Sequence, residues 1–344
     1  VLDEAHEFRN TGPKHSAALA IMELASIRLV MTATPLQTNT KDLAAMGRLI
    51  GIQHFLSPQA FTDEKGWQAM LRRLRRESMD DTKAEDISAT DYDPYKSMQC
   101  EIAQKIRVQF GDRLLRRTLK SVDRDNRLLI DLPPLIEETF IIELQAWELL
   151  IIDGLTAKVA ADLSDVTFAR IVSTRFYIEY RMGVGYARKD LKDPIPSFKT
   201  LKGWRKRKST KIDSCARICK YLTSSDRAGT PRVEEGAIVF PPVPPLAPGL
   251  AEKKTNKILI YQEFPSLGPL LRNILSLYKV DHLWIDGDTD YDKRAAIVKQ
   301  FFNSAEVMVL IVSSIGAVGL NLSCVNFIIF LVSFITYPLI LHYS

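Results

Sequence analysis

Metal and disulfide chemistry find little support in this sequence. Its 344 residues hold four cysteines and five histidines. Cys215 and Cys219 stand one helical turn apart, but no second Cys or His pair follows at the spacing of a zinc module. The pattern suits buried thiols in a reducing compartment. No secretory signal is visible, and no segment repeats at solenoid length. The chain opens at Val1 without an initiator methionine, inside what reads as a motif, so preceding sequence is expected to be missing. Nowhere does Gly-Lys-Thr or Gly-Lys-Ser occur, the usual end of a phosphate-binding loop.

What is present fits an ordinary globular chain, 46% hydrophobic and 25% charged, long enough for two domains with separate cores. A net charge of +5 is compatible with nucleic acid and is weak support for it. Residues 1–55 read as α/β. Val1-Leu2 is a short apolar strand running into Asp3-Glu4, an Ala-rich helix is predicted around Ser16–Ala25, and a strand Arg28–Thr32 enters Thr32-Ala33-Thr34-Pro35. Thr40 is placed to cap a helix with Leu43, Met46, Gly47 and Ile50 on one face. Residues 56–132 read as a charged helical insertion with basic clusters at Arg72–Arg76 and Arg113–Arg127, and with a loop over the acidic stretch Asp80–Asp93.

Leu132-Pro133-Pro134 breaks the pattern before a predicted strand Glu138–Leu144, and residues 133–228 then turn helical and basic. Residues 229–256 read as a linker, stiffened by Pro241-Pro242-Val243-Pro244-Pro245-Leu246-Ala247-Pro248. Residues 257–344 form a second α/β unit. Strands are predicted at Ile258–Tyr261, Leu283–Ile285, Val307–Val312 and Phe327–Val332, with a Ser266-capped helix carrying Leu267, Leu270, Leu271, Ile274 and Tyr278 and a second helix over Asp290–Phe302. Alternating strands and helices imply parallel sheets with their chemistry at the strand ends.

Five stretches, in order, carry a family resemblance: Asp3-Glu4-Ala5-His6; Met31-Thr32-Ala33-Thr34-Pro35-Leu36-Gln37; Leu114-Leu115-Arg116-Arg117 with Leu132-Pro133-Pro134; Ile258-Leu259-Ile260-Tyr261-Gln262-Glu263-Phe264; and Ser314-Ile315-Gly316-Ala317-Val318-Gly319-Leu320-Asn321-Leu322. Asp286-Gly287-Asp288-Thr289 with Arg294 adds a sixth element. Together they resemble the Snf-type (Swi/Snf-related) DNA-dependent ATPases of helicase superfamily two. The resemblance implies two RecA-like parallel-sheet lobes, the first incomplete at its N-terminus, with helical insertions between them. It implies ATP and Mg²⁺ as cofactors, double-stranded DNA as partner with nucleosomes or chromatin proteins beyond it, roles in chromatin remodelling and DNA repair, and a nuclear location.

In that frame Asp3 would hold Mg²⁺ through water, Glu4 would orient and deprotonate the attacking water, and His6 would relay to Thr32 and Thr34. The Asp-Glu pair alone would also suit a solvated strand end, and the two hydroxyls could merely close the turn before Pro35. Gln262, Arg294, Gly316, Gly319 and Asn321 would line the nucleotide and DNA cleft, with the two glycines letting backbone N–H groups approach phosphate, although a plain strand-to-helix loop reads the same way. Ala317 stands where the family more often has Gly.

Arg116, Arg117, Arg205, Lys206, Arg207 and Lys208 are candidate DNA contacts. The stretch Lys199–Lys211 holds seven Lys or Arg and could equally serve nuclear import or be a solvated face. Trp204 within it is either a stacking platform or a core anchor.

Two of the family's parts are not found: the phosphate-binding loop and the arginine motif after the last strand. An arginine finger is worth roughly 10³–10⁵ in rate, so these residues alone are expected neither to hold ATP tightly nor to hydrolyse it. A catalytically silent DNA- or chromatin-binding module is the alternative. Val325–Leu341 is uncharged over 17 residues, the lower limit for a membrane span. Asn326, Ser333, Thr336 and Pro338 interrupt it, so a strand followed by unrelated sequence is expected, with a tail-anchored membrane protein as the lesser alternative.

Overall fold

The computed structural model describes residues 1–36, 39–81, 93–118, 120–130, 135–162, 178, 180–190, 193–313, 320 and 322–331. The chain divides into two compact units, Val1–Leu135 and Ile136–Ser344.

In the first unit Val1-Leu2 meets the 28–31 segment through a single parallel bridge, Leu2 to Val30. The Leu2 N–H donates to the Leu29 carbonyl at 2.8 Å, the Met31 N–H to Leu2 at 2.8 Å, and the Ala5 N–H to Met31 at 3.0 Å. The strand expected over Arg28–Thr32 is therefore only a bridge, because a partner two residues long cannot extend a ladder. A 3₁₀ turn, Ala5–Phe8, follows, then α1 (Pro13–Glu23), α2 (Lys41–Leu49), α3 (Gln53–Leu56), α4 (Pro58–Asp81) and α5 (Pro94–Phe110). Pro13 starts α1 in the first turn, where its missing N–H costs nothing.

Thr40 precedes α2 as expected, but its side chain makes no cap. Asn39 does this instead, its Oδ1 accepting from the Lys41 N–H at 2.9 Å. Nor is α2 one-faced: Asp42, Ala44, Ala45, Met46, Gly47, Arg48 and Leu49 are all buried. A Cβ at Gly47 would lie 2.1 Å from the Phe55 ring, so only glycine admits that ring. The helices close a core of Ala45, Leu49, Phe55, Leu71, Ile102, Ile106 and Phe110. Within it Arg48 Nη1 donates to Glu64 Oε1 at 2.6 Å, linking α2 to α4.

Asp93 caps α5 by accepting from the Tyr95 and Lys96 N–H groups. Most of the acidic stretch expected as a loop lies outside the described residues, while Asp80 and Asp81 still belong to α4. The Arg113–Arg127 cluster, expected as helix, is irregular after the 3₁₀ turn Gly111–Arg113, with one antiparallel bridge from Val122 to Leu128. Asp123 Oδ1 accepts from the Asp125 and Arg127 N–H groups, a local bonding pattern that competes with a helix. Leu132-Pro133-Pro134 lies outside the described residues.

The second unit holds α6 (Ala146–Asp162), α7 (Leu201–Lys206), α8 (Thr210–Leu222), β1 (Arg232–Glu234), β2 (Ala237–Val239), β3 (Ile258–Gln262), a 3₁₀ turn Pro265–Leu267, α9 (Gly268–Leu277), β4 (His282–Ile285), α10 (Tyr291–Asn303), β5 (Val309–Ser313) and β6 (Phe327–Leu331). Ser266 lies inside the 3₁₀ turn and does not cap α9, which begins at Gly268-Pro269. Strands β4, β5, β3 and β6 form, in that order, a wholly parallel sheet with Ile258 opposite Val309 and Phe327.

Every residue of β5 is buried, as a strand covered on both faces requires. Ile258, Ile260, Val309 and Ile311 pack with α8 and α9 on one face, and Leu310, Val312 and Ile285 with Phe301 of α10 on the other. Cys215 and Cys219 are buried thiols on α8, and their mutual hydrogen bond pushes the Cys219 thiol up.

Two further expectations fail in the second unit. Residues 138–144 are not a strand: in the backbone they are tied to the fold by the Glu143 N–H donating to Gly236 at 3.0 Å, with no ladder partner. Nor is the 229–256 segment a bare linker. It contains the β1–β2 hairpin, whose turn residues Glu235 and Gly236 both take positive φ, and it buries Ile238 in the same core as the sheet. Among the described residues no helix is long and apolar enough to cross a membrane. β6 ends at Leu331, and the tail beyond lies outside the described residues.

Candidate nucleotide-coupling site

The Leu2–Val30 bridge sets two loops side by side, 3–6 and 32–34, at the end of the apolar segments. Glu4 takes the left-handed conformation (φ 47°, ψ 44°), a strained choice for a side-chain residue of order 1–3 kcal/mol. That turn carries its carboxylate back over His6, with Oε2 3.2 Å from Nδ1. The same Nδ1 lies 3.0 Å from Thr32 Oγ1, and Thr32 Oγ1 accepts from the Thr34 N–H at 3.1 Å. Arg9 Nη1 donates to the His6 carbonyl at 2.9 Å and steadies the 3₁₀ turn.

Nδ1 thus faces two partners of opposite demand. Neutral with a bare Nδ1, the ring accepts from the Thr32 hydroxyl; protonated there, it donates to the Glu4 carboxylate. The proton at Nδ1 decides whether His6 leans on one loop or the other. Glu4, His6, Thr32 and Thr34 therefore lie together. The Glu4–His6 contact itself has no sequence signal, since it depends on a backbone conformation that residue type does not favour. Asp3 is exposed, and its Oδ1 accepts from the Glu4 N–H at 2.9 Å. A largely hydrated Mg²⁺ needs one or two carboxylates besides phosphate oxygens, and Asp3 fits that modest demand. No group of three or more metal-type ligands occurs among the described residues.

In the second unit Gln262 ends β3 and is buried beside its register partner Ser313. Among the described residues Gln262 Oε1 and Ser313 Oγ have no hydrogen-bond partner, at the carboxyl edge where parallel sheets hold ligands. Glu263 accepts from Arg181 Nη2 at 2.5 Å. Burial pushes the nearby Lys211 amine down to about 8, against the pull of Glu263. The Arg181–Glu263 pair leaves no signal in the sequence, because 82 residues separate the partners.

Arg294 donates from Nε to the Thr289 carbonyl at 2.9 Å, and Thr289 Oγ1 donates to Asp286 Oδ1 at 2.8 Å. Its guanidinium braces the 286–289 loop. Gly316, Gly319 and Asn321 lie outside the described residues, as does Gln37.

The basic candidates divide. Arg116, Arg117, Arg205 and Lys206 are exposed. Arg207 is exposed too but stacks over Trp147 at 5.2 Å, and Lys208 pairs with Asp213 at 3.0 Å. Trp204 is fully buried, donating from Nε1 to Asp213 Oδ1 at 2.8 Å, which makes it a core anchor rather than a stacking platform.

Among known proteins, the helicase conserved C-terminal domain family matches residues 245–334. The ATP-dependent helicase FUN30 of Saccharomyces cerevisiae is 23% identical over 371 aligned positions, covering 96% of this chain and 30% of that protein. The ATP-dependent helicase fft1 of Schizosaccharomyces pombe is 22% identical over 345 positions, covering 96% and 33%. The chain thus spans about a third of the length of these two relatives. A solved Sulfolobus solfataricus SWI2/SNF2 ATPase core in complex with dsDNA is similar at 17% identity and a TM-score of 0.41, covering 96% of this chain and 56% of that one. The SNF2-related domain family matches residues 1–175, just over half of the chain, and with that match the chain belongs to the SNF2-related domain family.

Proposed function

We propose that this chain is part of an ATP-dependent DNA translocase of the chromatin-remodelling type, acting on double-stranded DNA in the nucleus, with nucleosomes and DNA repair as its setting. The observation that carries the reading is the Nδ1 of His6 shared between Glu4 Oε2 (3.2 Å) and Thr32 Oγ1 (3.0 Å). A residue able to exchange partners between the two motif loops is what coupling hydrolysis to movement needs. Asp3 would hold the metal ion of bound Mg-ATP, which would supply the phosphoryl group, and Glu4 would accept a proton from the attacking water once His6 releases it. Thr32 and Thr34 pass the change to the rest of the unit. Exposed Arg116, Arg117, Arg205 and Lys206 contribute phosphate contacts, and Gln262 and Arg294 of the second unit belong to the nucleotide-binding set.

Residues 1–344 contain no Gly-Lys-Thr or Gly-Lys-Ser run, and as an isolated polypeptide they are expected to hydrolyse ATP no faster than background. DNA-stimulated turnover, measured on this polypeptide and on the longest protein its transcript encodes, tests the reading. Turnover in the longer protein that disappears with Glu4→Gln supports it; turnover that survives Glu4→Gln overturns it. A silent DNA-binding module is the second reading, favoured by that missing run. It predicts salt-sensitive DNA binding with no turnover in either polypeptide.

A further inference from the structure

The proline-rich stretch is neither a spacer nor part of the nucleotide chemistry. Proline holds φ near −65°, and a residue preceding proline is driven toward extended ψ. Every residue from Phe240 to Pro245 is a proline, precedes one, or both. These constraints define a polyproline II helix, with three residues per turn, so that positions three apart share an edge.

Two carbonyls three apart are clamped to the body of the second unit. Pro241 accepts from the Tyr221 hydroxyl at 2.7 Å, and Pro244 accepts from Arg227 Nη1. Arg227 also pairs with Glu252, whose Oε1 accepts from Ser225 Oγ at 2.6 Å, so the return of the segment is tied down as well. Gly249, at φ 84°, turns the chain, and the Leu250 N–H closes onto the Ala247 carbonyl at 3.2 Å. With the Pro241 and Pro244 carbonyls fastened, Pro242 and Pro245 share another edge, and Pro248 follows at the same spacing in the turn that closes the run. All three are exposed, Leu246 is exposed beside them, and Lys253 and Lys254 stand exposed just beyond.

We propose that the ridge Pro242–Pro245–Pro248 is a docking site for a protein domain of the SH3 type, whose aromatic-lined groove receives a polyproline II helix and whose acidic rim meets Lys253 and Lys254. Such grooves use the preformed, low-entropy helix that the prolines impose, and the clamps at Pro241 and Pro244 lower the ordering cost further. The charge of the flank selects an acidic rim over a neutral one. The inference stands apart from the nucleotide chemistry, since none of its residues belongs to that site.

The test is titration of the full chain against panels of purified SH3 and WW domains. At least one SH3 domain is expected to bind one-to-one. Binding should fall at least about tenfold in Pro242→Ala/Pro245→Ala/Pro248→Ala, a loss of about 1.4 kcal/mol. The side chains removed face solvent, so the fold should be kept and the melting temperature should fall only by the few degrees that a freer unfolded chain costs. Lys253→Glu/Lys254→Glu, which leaves the prolines intact, should weaken binding independently and abolish most of its salt dependence. Absence of any SH3 binder overturns the proposal, as does binding that survives the triple substitution or binding by WW domains alone.

Discussion

In the second unit four parallel strands align over at least four residues each, and the covered strand β5 is buried throughout. In the first, a single Leu2–Val30 bridge stands where the pattern implies a sheet, and helices supply the core. The contrast shows two ways of positioning chemistry at strand ends. In the second unit ladder hydrogen bonds and apolar burial hold the carboxyl edge. In the first the functional loops hang from one short backbone bridge and are finished by polar side chains, with His6 reaching Glu4 in its own loop and Thr32 in the other. A site held by side chains should be more sensitive to single substitutions than one held by a ladder.

The sharpest way to break the comparison is to strike the polar members of each core. Trp204→Ala removes a fully buried indole and its bond to Asp213, and should cost about 3–5 kcal/mol. Arg48→Met leaves Glu64 buried without its partner, and should cost a similar amount. If the units are separate cores, hydrogen exchange after Trp204→Ala accelerates in α7–α9 and the sheet while α2–α5 keep their protection. Arg48→Met should give the converse pattern. Uniform acceleration in both units would mean the two cores are one.

Lys211 gives a smaller effect with a defined sign. Burial lowers its folded pKa to about 8 from the ordinary 10.5, so between those values the unfolded chain binds more protons than the folded one. Stability from this group therefore rises with pH across that window, and the penalty of burying the charge is present in full below it. The rise in urea midpoint from pH 8 to pH 10 should be smaller in Lys211→Met than in the parent chain. Equal rises would show that Lys211 titrates normally.

Smallest is Thr32→Val, which keeps the shape but removes the hydroxyl between His6 and the Thr34 N–H. It should cost about 1 kcal/mol of stability. Urea denaturation of Thr32→Val against the parent chain measures this loss, and an unchanged midpoint would show that the hydroxyl does not hold the two loops.

The second unit was the more legible in the sequence, for a physical reason. Its strands are continuous apolar runs, and burial on two faces leaves no other reading of Val309–Val312. The Glu138–Leu144 segment carries a similar local pattern without a partner strand, and extended structure needs one. The Pro-rich stretch read as a linker because periodicity is silent about prolines; its clamps come from Tyr221 and Arg227, which precede it in the chain. Thr40 looked like a cap on residue type alone, yet Asn39 does that work because its side chain reaches the Lys41 N–H.

Residue order alone determined the family, the alternation of strands and helices in the second unit, and the acid, imidazole and hydroxyl groups available at the ends of the first-unit segments. These follow from local preference and spacing. Tertiary structure decided what those groups face. It turned Glu4 through a left-handed backbone onto His6, drew Arg181 across 82 residues to Glu263, sealed Trp204 inside against Asp213, and fastened one edge of the proline helix so that another faces solvent. Each of these depends on contacts between residues distant in the chain or on a strained conformation that packing imposes, and neither leaves a mark on local pattern.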